Sequence, residues 1–304
     1  MTITTGSIPR LLQEGLKNVF GMSYEEHPTE YNMIFDAVSS SKAYEVDQLV
    51  EGFGLAPQKT EGDDLAYDDT AQGINPKYIN LTYAKGFIIT KEAMDDEQYD
   101  VFSKKARALA FSMRQTKEVV AANILNRGFN SSYTMSGGDG QQLFDTDHRD
   151  GTYGTTYANK LATDADLSEA SLEDMLILIG QATDSRGLKI GLQGTRLIVP
   201  VNLQFTAQRI LKSELQNDTA DNAINAIRSM NAIRDGMVVN HYLTDTDAWF
   251  VKTNCPQGLQ CMERQAVEYG EDNAFNSGNM RFKASERYAF GWSDARGCYG
   301  TQGA

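Results

Sequence analysis

Apolar residues recur along this chain at two periods, one helical and one alternating, and the helical one is longest in its second hundred residues. Between residues 97 and 127, Phe102, Ala106, Leu109, Met113, Val120 and Ile124 step by four, three, four, seven and four, the spacing of one helix face. Asp95 and Asp96 stand where acidic residues favour a helix start, and Gly128 stands where glycine favours a stop. Such a helix spans roughly 45 Å, more than the usual three or four turns, and predicts a spine along an elongated subunit. A shorter amphipathic stretch, residues 8–20, carries Ile8, Leu11, Leu12, Leu16, Val19 and Phe20 near helical spacing, and Tyr31, Met33, Ile34 and Phe35 follow as a second apolar cluster. This first segment is too short to bury both clusters by itself, so it must lie along another part of the same chain or along another chain.

After a Gly/Ser-rich break over residues 131–140, helices and strands alternate. A helix over 168–182 presents Leu172, Met175, Leu176 and Ile179 on one face with Ser168 as its N-cap. Residues 195–200 read as a buried strand, followed by helices over 202–212 and 222–230 and strands over 237–243 and 248–252. The tail from Leu259 alternates through three strand-like runs, 259–269, 280–292 and 295–300. Within the second of them Tyr288, Phe290 and Trp292 occupy every other position, as expected of a sheet face packed on a core.

Residues 45–76 break both patterns. Glu45, Asp47, Glu51, Glu61, Asp63, Asp64, Asp68 and Asp69 face the single base Lys59, and glycines, Pro57 and Pro76 punctuate the run. Strand character on either side, over 46–53 and 78–89, predicts a long projecting hairpin. An excursion of that length inside a compact domain points to a binding or interaction loop.

Composition narrows the function classes. Of 304 residues 41% are hydrophobic and 23% charged, as in a globular chain. Twenty-eight lysines and arginines against 41 aspartates and glutamates give a formal charge of −13, which excludes proteins that grip nucleic acid electrostatically or bind anionic membranes through a basic patch. No signal-peptide h-region and no run of about 18 apolar residues is present, so neither export nor a membrane is expected. Cys255, Cys261 and Cys298 are odd in number and widely spaced, consistent with free thiols in a reducing compartment.

Motifs for chemistry are sparse. Gly137-Gly138-Asp139-Gly140 lacks the spacing and the lysine of a phosphate loop. Asp145, Asp147 and Asp150 before Gly151 resemble a calcium loop, but the third aspartate falls one position late and Thr156 stands where a bidentate glutamate belongs; a solvated turn with Asx-type hydrogen bonds is the plainer reading. His148 with Asp145 or Asp150 is the one local acid–base pair. No cofactor or metal is expected, and catalytic residues are expected to be absent.

The order of segments, an N-terminal arm, an extended hairpin loop, a spine helix, an α/β insertion and a β-rich return, resembles the major capsid proteins of tailed phages, the Hong Kong 97-type fold. Local matches resemble the Mu-like major head subunit family: Gly6-Ser7-Ile8, Pro28-Thr29-Glu30-Tyr31-Asn32 and Val38-Ser39-Ser40-Ser41; Gly138-Asp139-Gly140-Gln141-Gln142-Leu143-Phe144-Asp145-Thr146-Asp147-His148; and Gly187-Leu188-Lys189-Ile190 with Leu197-Ile198-Val199-Pro200-Val201 and Arg209-Ile210-Leu211-Lys212-Ser213-Glu214-Leu215.

The resemblance implies an α+β subunit divided into an arm (1–44), an extended loop (45–77), a peripheral domain with the spine helix (78–135), an axial domain (136–255) and C-terminal strands returning to both (256–304). It implies self-assembly into pentamers and hexamers of an icosahedral shell around double-stranded DNA, built in the host cytoplasm and resident in the virion. A portal and a separate scaffolding protein are expected as partners, and a decoration protein is compatible. The loop residues expected to carry inter-subunit contacts are Phe53, Leu55, Lys59, Glu61, Asp63, Asp64, Tyr67, Asp68 and Asp69. Arm-like sequence begins within the first ten residues, so no long scaffolding extension is expected, and nothing supports a covalent cross-link through Lys59. The rivals are an encapsulin-type compartment of the same fold and, from another class, a metal-dependent hydrolase using Asp145 to Asp150.

Overall fold

The computed structural model describes residues 8–304 apart from 63, 97–98, 152–154, 217–222 and 275–277. In chain order the elements are α1 (Ile8–Glu26), β1 (Asp36–Ser39), β2 (Tyr44–Val46), β3 (Lys77–Ile79), β4 (Leu81–Ile89), α2 (Lys91–Asp95), α3 (Tyr99–Asn126), β5 (His148–Asp150), β6 (Thr155–Tyr157), α4 (Glu169–Gly180), β7 (Gly194–Pro200), α5 (Gln204–Lys212), α6 (Ala226–Ser229), β8 (Met237–Asn240), β9 (Trp249–Thr253), β10 (Leu259–Asn273), β11 (Met280–Trp292) and β12 (Cys298–Thr301).

Two four-stranded sheets organise the chain, in the orders β1-β10-β11-β4 and β12-β9-β7-β8. In the first, β1 runs parallel to β10, while the long β10–β11 hairpin and β4 pair antiparallel. The even-numbered side chains of β11, from Met280 to Tyr288, turn to the helices and are buried, as period two requires. The spine predicted over 97–127 is α3, 28 residues and so roughly 42 Å long. Phe102, Ala106, Leu109 and Met113 pack with Leu16, Phe20 and Tyr24 of α1 and with Phe282 and Ala284 of β11. The amphipathic first segment therefore lies on its own subunit's spine, and burial of each large side chain there stabilises the pair by about 1.5–3 kcal/mol.

The apolar stripe on α3 jumps seven residues after Met113, and the skipped position is Lys117. Arg114, Lys117 and Glu118 are buried there. Lys117 Nζ lies 2.7 Å from Glu263 Oε1 and over the rings of Tyr31 and Tyr288. Burial pushes its pKa down, but the hydrogen bond it donates to Glu263 and the neighbouring tyrosine outweigh that and hold it above the ordinary lysine value. Glu118 accepts the backbone N–H groups of Glu30 and Tyr31, and the Arg114 guanidinium donates to the Tyr24 carbonyl. These polar contacts pin the chain that follows α1, where propensity alone leaves it free.

The second sheet is buried on both faces, which explains why β7 reads as a continuous apolar run. Leu197 and Val199 meet Leu172, Met175 and Ile179 of α4 together with Trp249 and Val251. Ile198 and Phe250 turn the other way, into a central cluster with Tyr31, Phe35, Leu125, Phe144 and Trp292 that ties this sheet to the first. The expected N-cap is present: Ser168 accepts the Ser171 N–H, and the Ser171 side chain returns the bond.

Four sequence readings are corrected. Residues 78–89 form two strands, because the buried Asn80 donates to Ser40 Oγ and the Lys42 carbonyl; β3 closes the hairpin on β2, whereas β4 joins β11. Strand pairing on the outgoing limb covers only Tyr44–Val46, with one further bridge from Val50 to Gln72. The helix expected from residue 202 starts at Gln204, after a 3-10 turn over Val201–Leu203. The helix expected over 222–230 shrinks to Ala226–Ser229, because Ile224 bridges back to Leu215 and Asn225 caps the helix. Position 222 lies outside the described residues.

Asn159 braces the centre. It is fully buried, and its amide donates to the carbonyls of Leu143, Ala295 and Cys298 while its oxygen accepts the Asp145 N–H. Asn159→Ala removes all four of these hydrogen bonds from the centre of the molecule and is expected to cost about 3 kcal/mol or more, read as a large drop in thermal midpoint. A midpoint unchanged within a degree would show that water replaces the side chain.

Candidate assembly surface

The acidic segment leaves the body through a short ladder. Tyr44, Glu45 and Val46 pair with Ile79, Tyr78 and Lys77, and the Asp47 and Leu49 N–H groups reach the carbonyls of Pro76 and Ile74. Residues 136 and 137 brace the returning limb: the Asn75 N–H donates to Gly137 and the Lys77 N–H to Ser136. Gly137 has φ +74°, and a Cβ there would strike the Asn75 carbonyl, so this glycine-rich run serves close backbone approach. At the other side Gly151, with φ +52°, makes room for the buried Glu51 carboxylate.

Beyond this base the loop is exposed, and its apolar side chains are exposed with it. Phe53, Leu55 (82% exposed), Leu65 and Tyr67 (92% exposed) find no core to enter. Lys59, Glu61, Asp64, Asp68 and Asp69 are also exposed, and Asp63 lies outside the described residues. The structure draws only part of the expected set together. Asp68 Oδ2 accepts the Gly54 N–H, Asp68 Oδ1 receives Arg186, and Arg186 also donates to the Asp69 carbonyl. The Gly54 N–H, with lesser help from the Asp69 N–H and Arg186, holds the Asp68 carboxyl below its ordinary range. Arg186 was not singled out in the sequence, since it lies 118 residues from its partner.

The candidate chemistry resolves into turn structure. Asp145 directs its carboxylate onto its own chain, accepting the N–H groups of Thr146 and Asp147. His148 turns to a different carboxylate: its Nδ1 lies 2.6 Å from Asp139 Oδ2 and its Nε2 3.2 Å from the Leu143 carbonyl, in a fully buried site, while the Asp150 side chain lies outside what the structure describes. The Asp139 partner comes from the preceding turn, outside the local acidic cluster. Among the described residues no group of three or more metal-ligating side chains converges. The three cysteines are unpaired, and burial pushes all their thiols up, Cys261 to about 12, away from nucleophile chemistry.

The Asp139 site makes a pH prediction. Burial raises this carboxyl's pKa, but the His148 hydrogen bond and charge outweigh it, so the folded value lies below the ordinary one. A depressed carboxylate contributes stability above the unfolded pKa, near 4, and loses it as pH falls through the folded value. Acid unfolding below about pH 4 is expected to be shallower in Asp139→Asn, followed by denaturant midpoint against pH. An identical pH profile in that variant would remove Asp139 from the acid response.

A second surface begins at the loop's base. β3, the start of β4, the last two turns of α3, residues 132–135 and the end of β11 enclose a groove of about 560 Å³. Ile79 and Leu81 are more than half exposed on its wall, and Lys77 and Arg127 stand on its rim.

A family model described as phage capsid protein matches residues 78–300. No curated protein sequence matches the chain. Among solved structures, the capsid of the cyanophage P-SCSP1u is 10% identical over 89% of this chain and 86% of its own, with a TM-score of 0.58. The capsid of a native GTA particle is 12% identical over 90% of each chain, with a TM-score of 0.56. A virus-like particle from Pyrococcus furiosus is 12% identical over 95% of this chain and 98% of its own, with a TM-score of 0.54. At these identities the likeness is one of fold.

Proposed function

Because the chain belongs to the phage capsid protein family, we propose that the exposed loop and the two-sheet body are the working parts of a major head subunit of the Mu-like type. It is a structural protein of the phage virion that assembles with copies of itself into a shell. The observation that carries this is the family match over residues 78–300, which runs from β3 through β12. The fold is shared with the Pyrococcus furiosus virus-like particle, so the family match, and not the fold, favours a phage head over a non-viral compartment.

On this reading residues 1–44 are the arm, 45–77 the extended loop, 78–135 the peripheral domain, 136–255 the axial domain lining the capsomer centre, and 256–304 the strands returning to both. Two observations support it: β10 and β11 complete the sheet under α3, and β12 completes the sheet under α4 and α5. Pentamers and hexamers of this subunit enclose double-stranded DNA, with a portal and a separate scaffolding protein as partners and a decoration protein as a further one. Phe53, Leu55, Lys59, Glu61, Asp63, Asp64, Tyr67, Asp68 and Asp69 are read as inter-subunit contact residues. Support comes from the large apolar side chains of the loop, which stay more than half exposed among the described residues. Many modest contacts repeated around a closed shell hold it by avidity.

The formal charge of −13 fits a shell whose subunits hold one another, with DNA as contents only. The purified protein, alone or with a scaffolding partner, is expected to form uniform shells in negative stain without stoichiometric metal. A protein that forms neither capsomers nor shells under either condition would overturn the reading.

A further inference from the structure

The groove beside Lys77 and Arg127 is apolar inside and cationic at its rim. Ile124 and Phe290 belong to its floor, Ile79 and Leu81 to its wall. Lys77 Nζ rests 4.0 Å over the Tyr44 ring, and the Arg127 guanidinium 4.6 Å over the Tyr133 ring. Among the described residues neither cation has a carboxylate within ion-pair distance. Acidic residues outnumber basic ones 41 to 28, so two unpaired cations around an apolar hollow call for an acidic occupant.

The chain carries a segment of that character. Asp64-Leu65-Ala66-Tyr67-Asp68 flanks two large apolar side chains with carboxylates, and Leu65 and Tyr67 are 64% and 92% exposed. Of the same subunit's loop only Lys77, at its base, lines the groove. Its Asp68 is tied to Arg186, and its base is packed at Gly151. Donor segment and acceptor groove are thus separate surfaces of one chain, the condition for a head-to-tail contact that closes into a ring.

We propose that this groove receives residues 64–67 of a second copy, with Leu65 and Tyr67 on the apolar floor and Asp64 between Lys77 and Arg127. The assignment rests on reading the loop as an inter-subunit element and specifies its partner surface. It makes the contact both hydrophobic and electrostatic, so assembly weakens with rising salt.

The test is zero-length carbodiimide cross-linking of shells assembled from mixed isotopically light and heavy subunits, read by mass spectrometry. The expected product is a light–heavy amide between Lys77 and a carboxylate of residues 61–69. Links from those carboxylates only to other lysines of a second copy, or from Lys77 only to carboxylates elsewhere, would overturn the groove assignment and leave the loop inter-subunit. Absence of any light–heavy link from the loop, with residues 55–72 cleaved by protease equally fast in shells and free subunits, would overturn both. As a second measurement, Lys77→Glu with Arg127→Glu is expected to lower the assembled fraction about tenfold while leaving the free subunit's circular dichroism unchanged. Assembly at the unaltered level would again reject the groove.

Discussion

Leu109→Pro is expected to abolish soluble folding. Residue 109 lies in the middle of α3, and a proline there removes the N–H that bonds to the Lys105 carbonyl and drives its ring into that carbonyl. The interruption alone costs about 3 kcal/mol or more. The side chain is lost as well: Leu109 is buried with Phe20, Tyr24, Ala110, Met113 and Ala284, and emptying such a site costs a further 2–5 kcal/mol, roughly. Together these approach the whole stability of an ordinary domain, about 5–15 kcal/mol. The damage also spreads, because α1 and β11 both pack on this helix. Leu109→Ala keeps the backbone bond and separates the two effects; it is expected to yield a soluble subunit with a lowered thermal midpoint. Soluble Leu109→Pro protein with native helical circular dichroism would mean that α3 is not the structural spine.

Deleting residues 55–72 is expected to have the opposite signature: a folded subunit that forms no shell. Within the subunit the removed stretch provides little beyond the Asp68 and Asp69 contacts to Gly54 and Arg186, the Val50–Gln72 bridge, the Ala71 carbonyl that accepts the Glu51 N–H and the Gln72 amide that donates to Asn75. The ladder of β2 with β3 and the braces at Ser136 and Gly137 lie outside the deletion. The thermal midpoint of the free subunit should therefore stay within a few degrees of the intact chain. What is lost is the exposed apolar set Leu55, Leu65 and Tyr67, and with it the surface argued to hold neighbours together. Size-exclusion chromatography and negative stain under assembly conditions decide the matter. Shells of normal number and stability from the deleted chain would refute the loop's role.

The two variants separate elements that were legible for different reasons. The spine could be read because its face repeats within the chain at four and three residues, and a helix satisfies its own backbone locally. The Ser168 cap and the doubly buried β7 were legible on the same ground. Lys117 was not. A charged residue in a gap of the stripe reads as a solvated position, and only Glu263, 146 residues away, with the rings of Tyr31 and Tyr288, makes it an internal one. Similarly, His148 had near carboxylates on both sides, and the turn through Gly140 brought in Asp139 instead. In the loop, the acidity and the exposed apolar residues were plain, but the groove was not, since β3, the end of α3 and the end of β11 come from three distant parts of the chain.

By itself the sequence determined the places of α1, α3, α4, β7, β10 and β11, and that one acidic excursion leaves the body. Each is set by neighbours a few residues apart. Only the tertiary structure decided that β4 pairs with β11 rather than with the outgoing limb of the loop, that the first helix lies on its own spine, and that Lys77 and Arg127, with no carboxylate partner among the described residues, border an apolar groove. Such pairings depend on which distant surfaces meet. That choice is made by the burial of Tyr78, Asn80 and the central cluster around Phe144 and Trp292, and no local period records it.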